Sequence, residues 1–62
     1  MDKREQAKQI LIGRLRASYV DESWELETLE KEAEWMLKMI EETYSAEYVE
    51  ATYDDWIAKE GS

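Results

Sequence analysis

The chain has 62 residues, a formal net charge of −8, 39% charged residues, and no Cys, Pro, His or Phe. This length holds one domain at most, and the missing Cys and His exclude disulfides, thiolate metal sites, cysteine nucleophiles and the commonest general base. A chain this short buries only ~60% of the surface its unfolded form exposes, so regular helix packing or a partner must supply stability.

The charge is unevenly spread. Residues 1–20 carry five Lys/Arg against two acids, whereas residues 21–62 carry three Lys against fourteen acids. The bulk negative charge argues against nucleic acid or an anionic membrane as partner. No apolar run approaches the ~20 residues of a membrane span. The charged start, Asp2 to Glu5, lacks a signal-peptide apolar stretch. No compartment is specified, and the composition is compatible with a soluble chain.

Strand-type alternation is absent, and good helix formers (Ala, Leu, Glu, Lys, Arg, Met) dominate. The first helix is expected over about 2–18. Asp2 with Glu5 three residues later has the form of a capping box. Ala7, Leu11, Leu15 and Ser18 form its inner stripe, widened by Ile10, Ile12 and Tyr19.

The second helix is expected over about 23–44, capped by Asp21 or Ser23. The acids Glu22, Glu25 and Glu27 suit the positive end of its dipole. Leu26, Leu29, Ala33, Met36, Leu37, Ile40 and Tyr44 fall within an arc of roughly 100°, an ordinary core face. The third helix is expected over about 46–59, with Ser45 as N-cap and Tyr44 and Val49 at the two positions of a hydrophobic staple. Val49, Tyr53, Trp56 and Ile57 make its inner face, with Ala46 small enough to join.

Short connections place sequential helices antiparallel. The expected fold is therefore all-α, an up-down-up antiparallel three-helix bundle over residues 1–60, with helix 2 as the middle element touching both neighbours. Gly61-Ser62 reads like an expression scar.

The stretch "EAEWMLKMIEET" holds more apolar residues than one face needs. With Ala33 at the centre of the core face, Trp24 lies at about 180°, Trp35 at about 200°, Thr28 at about 220° and Met39 at about 240°. Lys31 and Glu32 sit between them. Trp is enriched at binding hot spots and Met at adaptable binding surfaces. These residues are the candidate protein-binding face, set against the plainer reading that they pack inside the bundle. A second candidate is the edge of helix 1 formed by Gln6, Ile10, Gly13 and Ala17. A helical Gly costs ~1 kcal/mol relative to Ala, and small residues at i and i+4 admit a close backbone, from a target or from a neighbouring helix.

The carboxylates Glu27, Glu30, Glu34, Glu47, Glu50, Asp54 and Asp55 lack the His of a di-iron bundle and the glycine-centred loop of an EF-hand. They read as a solvated acidic face, so no metal, cofactor or catalytic set is expected. Tyr19, Tyr44, Tyr48 and Tyr53 pack rings at helix ends, with Tyr48 on a flank that a partner could reach.

The chain as a whole resembles, in style, a computationally designed or engineered three-helix mini-protein binder. The resemblance implies a non-catalytic module that blocks a surface on one protein target, of the receptor or viral-antigen type. Thr28, Thr43, Thr52, Gly13 and the absence of Gly C-caps depart from idealised design. Two other readings stand beside it: a homodimer closed through the same stripe, expected less than a monomer, and a natural acidic inhibitor that occupies a basic nucleic-acid-binding site.

Overall fold

The computed structural model describes residues 2–18 and 25–60. Three helices follow in order: α1 (Lys3–Ser18), α2 (Leu26–Thr43) and α3 (Ala46–Glu60). The described residues include no strand. α1 and α3 run parallel and α2 runs antiparallel to both, so the expected all-α three-helix bundle is the observed fold.

Each helix start has a local cause. At α1, the Asp2 carboxylate accepts the Glu5 backbone N–H at 2.8 Å, and the Asp2 carbonyl accepts Gln6 N–H at 3.1 Å. At α3, Ser45 Oγ accepts Tyr48 N–H at 3.2 Å. The two side-chain bonds satisfy donors that have no partner within the helix, and the Asp2 carbonyl takes the first helical hydrogen bond. α2 differs from expectation. It begins at Leu26 instead of near 23, and its cap is Glu25, in extended conformation with no side-chain cap bond. The expected caps Asp21 and Ser23 lie outside the described residues, as do Tyr19 and Trp24. α2 ends without glycine: Tyr44 is extended, its N–H still bonds Ile40 carbonyl at 3.0 Å, and Ser45 starts the next helix at once. Two residues with ordinary negative φ therefore make the corner.

The core consists of Ala7, Leu11 and Ile12 from α1, Leu29, Ala33 and Leu37 from α2, and Val49 and Tyr53 from α3, with Leu15, Met36, Ile40 and Trp56 packed against it. Residues expected in the core at helix ends are exposed: Ser18, Leu26, Tyr44 and Ala46. A stripe position buries its side chain only where a neighbouring helix extends alongside. Because α2 stops at Thr43, Tyr44 leaves the helical stripe, and its ring packs on Tyr48 with centroids 4.5 Å apart.

The expectation that α2 is the middle element is corrected. α1 packs along both other helices, while α2 and α3 meet only sparsely. Charge supplies the reason. α1 carries five Lys/Arg against one Glu, α2 two Lys against six Glu, and α3 one Lys against five acids. Two acidic helices repel each other, and each is drawn to the basic one. The ion pairs follow this arrangement. Lys3 Nζ reaches Glu50 and Asp54 of α3, each at 2.9 Å. Arg4 pairs with Glu34 and Glu41 of α2 at 2.9 and 2.8 Å. Lys8 approaches Glu34 at 3.6 Å, and Arg14 approaches Glu60 at 3.5 Å. Arg14 also lies over the Trp56 ring, 5.4 Å from its centroid. Glu34, Glu50 and Asp54 are thus not merely a solvated acidic face; they tie the helices together.

The Arg4 cluster reaches all three helices. Arg4 donates through Nη1 and Nη2 to the two Glu34 oxygens at 3.0 and 2.9 Å, and through Nε to Glu41 at 2.8 Å. Tyr53 of α3 donates its hydroxyl to the same Glu41 carboxylate at 3.1 Å. The Arg4 hydrogen bonds hold both Glu34 and Glu41 below the usual carboxylate range. Burial, followed by the Glu41 carboxylate beside its hydroxyl, pushes Tyr53 up to about 12.

Two outcomes follow for stability. Arg4→Met keeps the apolar stem but leaves two facing carboxylates without their cation; because the cluster is half-exposed, we expect a loss of ~1–3 kcal/mol, and a melting temperature lower by roughly 5–20 °C. Arg16→Met, at an exposed position, should change it little. The pH profile should fall on both sides. Depressed carboxylates contribute fully above their unfolded values of ~4.3 and lose that contribution as pH drops through the folded ones. Tyr53, raised in the fold, contributes fully below its unfolded value of ~10 and loses that contribution as pH rises through the folded one. Thermal melts across pH should show a shallower acid limb in Arg4→Met and a shallower alkaline limb in Tyr53→Phe. Unchanged limbs would remove the cluster from the account.

Candidate protein-binding face

α2 turns its core stripe toward α1 and α3, which leaves the opposite side to solvent. Residues at about 200–240° from Ala33 lie on that side. Trp35 is 57% exposed and Met39 45% exposed, in the middle of a regular helix where fraying does not account for it. Thr28 and Lys31 are exposed, and Glu32 is half-buried. Thr28, Lys31, Glu32 and Trp35 together line a shallow depression of about 470 Å³. Lys31 Nζ is held by Glu27 one turn earlier, at 3.3 Å. Trp24, expected on the same stripe, lies outside the described residues.

Ile10, Gly13 and Ala17 of α1 come together elsewhere. With Gln9, Arg14 and Glu60 they line a depression of about 540 Å³ on the α1–α3 side. The two groups therefore form two separate surfaces. Gly13 is exposed, and a Cβ built on it would meet nothing within 4 Å. Close helix packing within the bundle thus does not explain the glycine.

Two features were not singled out from the sequence. The first is the Tyr44–Tyr48 ring pair, with each residue about half exposed. Tyr44 has the spacing of a core residue, so only the helix end at Thr43 reveals it. The second is a depression of about 470 Å³ at the end of the bundle, between Lys3, Arg4, Glu41, Val49 and Tyr53. Its polar groups are already engaged: Lys3 with Glu50, and Arg4 and Tyr53 with Glu41. No buried side-chain nitrogen or oxygen among the described residues lacks a partner. The ion pairs at this end clamp α1 to α2 and α3. The described residues also contain no group of three or more acids positioned to hold a metal ion, and no helix long and apolar enough to cross a membrane.

The open space around Gly13 makes a direct expectation. Gly13→Ala adds a methyl without a clash and removes a poor helix former, so it should stabilise by ~0.8–1 kcal/mol and raise the melting temperature by roughly 3–8 °C. A fall in melting temperature would show that the bundle needs the glycine after all. Comparison with protein-family models, with curated proteins and with solved structures finds no match to this chain.

Proposed function

We propose that the chain is a non-catalytic protein-binding module whose outer α2 face, anchored by Trp35 and Met39, seats on one protein partner and blocks the surface it covers. The carrying observation is the exposure of an indole and a thioether side by side at mid-helix, while the core is closed by other residues. Full burial of an aromatic or Met side chain stabilises by ~1.5–3 kcal/mol. The fold does not use these two in that way, and a partner could. A rigid helix presenting anchors at i and i+4 is an established mode of protein recognition. Thr28, Lys31 and Glu32 form the polar rim of the same face.

Charge mimicry of nucleic acid has less support. Residues 39–58 hold six acids and no Lys or Arg, but Glu41, Glu50, Asp54 and Asp55 are each ion-paired to Arg4, Lys3 or Lys59. A mimic needs its carboxylates free.

The test is a paired comparison of the chain with Trp35→Ala/Met39→Asp, immobilised at physiological salt. Being at the surface, the substitutions should change stability by no more than ~0.5 kcal/mol each. Loss of both anchors should cost a bound partner at least ~2 kcal/mol, roughly thirtyfold in affinity. A partner retained equally by both forms would defeat the proposal, as would a double variant that unfolds.

A further inference from the structure

The chain holds three methionines and no cysteine, so all its sulfur is thioether. Met1 lies outside the described residues. Met36 and Met39 stand three residues apart on α2, and the fold treats them differently. Met36 is half-buried and packed against the core. Met39 is 45% exposed at mid-helix. Its neighbours one turn away on the same side, Trp35, Glu42 and Thr43, are exposed as well, so its side chain stands in an open stretch of surface.

A thioether needs no activation to react with a hydroperoxide. It needs access, and susceptibility follows exposure. A sulfur lone pair takes the outer oxygen of the peroxide. The O–O bond breaks as the S–O bond forms; sulfur loses two electrons, and hydrogen peroxide leaves as water. The product is a sulfoxide, which is polar and chiral. Its effect depends on where it forms. At Met36 the new oxygen would lie against core side chains and lose its water, which costs stability. At Met39 it projects into solvent, and the core residues Leu29, Ala33 and Leu37 stay as they are.

We propose that Met39 is a reversible oxidation site for small hydroperoxides, and that its sulfoxide makes the apolar outer face of α2 polar while the bundle stays folded. Reversal falls to methionine sulfoxide reductases, one for each sulfur epimer. Two thiols then give up the electrons, and the products are the thioether, a disulfide and water. The modification strikes one member of the exposed pair and leaves Trp35 as it is. On the reading of this face as a binding face, it removes one of the two anchors. The site itself stands on the exposure of the thioether in the free chain and does not depend on what covers it.

The test treats the full chain with dilute hydrogen peroxide and follows each methionine by mass spectrometry of its peptides. Met39 sulfoxide should form at least about threefold faster than Met36 sulfoxide. In concentrated guanidinium, where the fold is gone, the two rates should converge. The chain oxidised at Met39 should keep its helicity, with a melting temperature within about 3 °C of the untreated one. Still folded, it should leave a hydrophobic-interaction column earlier, and treatment with both reductases should restore the original elution. Met39→Leu given the same dose should show no early-eluting form. Equal rates at the two methionines in the folded chain overturn the proposal, as does a difference that persists in guanidinium. Unfolding on oxidation of Met39, or an unchanged elution, overturns it too. None of these readouts contains a partner, so failure of the immobilised comparison leaves the oxidation site standing, and failure here leaves the binding face to that comparison.

Discussion

Arg4 is the group on which the arrangement of the bundle depends. It stands in the first turn of α1, where a cation opposes the positive end of the helix dipole. Glu41 stands near the C-terminus of α2, where an acid opposes the negative end, and the last turn of α2 holds no base of its own. Each residue is misplaced on its own helix. Brought together at 2.8 Å they neutralise each other and both helix ends. Glu34, two turns earlier on the same face of α2, takes the other edge of the guanidinium. Tyr53 closes the set from α3. A planar cation with several fixed donors can serve two carboxylates at once, which a lysine ammonium does less well.

The same electrostatics decides what is inside and what is outside. With the basic helix packed against both acidic ones, α2 and α3 need little contact with each other. Among the described residues the core is correspondingly thin, with eight buried side chains drawn from three helices and only Leu29 and Leu37 both large and fully enclosed. α2 is covered on one side and open on the other. Trp35 and Met39 therefore stay in water although the chain has little apolar surface to spare. Their exposure follows from how the helices are placed, and the helix that carries them is tied to α1 by the Arg4 ion pairs.

The helices themselves were legible because their signals are local. Asp2 and Ser45 cap as expected, Asp2 from its spacing to Glu5 and Ser45 from its residue type, and the repeats of Leu29, Ala33 and Leu37 or Val49 and Tyr53 bury as a 3.6-residue period requires. The opposite placement of Trp35 and Met39 was legible for the same reason. Helix ends were less so. Leu26 and Tyr44 have core spacing, yet they lie where the stripe runs past its neighbours or off the helix. The carboxylates lie at the surface as their pattern suggests, but their ion pairs were not legible, because Glu34 and Glu27 look alike in a sequence. Only the position of Arg4, thirty residues from Glu34 along the chain, distinguishes them.

By itself, then, the amino-acid order determined three capped amphipathic helices, one basic and two acidic, with a surplus apolar pair behind the core face of the second. These properties depend on neighbours within a turn or two. Tertiary structure decided that α1 lies between the others, and which acids, like Glu34 and Glu41, meet a cation from another helix. It also placed Ile10, Gly13 and Ala17 on a different surface from Trp35. Those outcomes depend on distances between helices, and such distances are set by the balance of charge and packing across the whole bundle.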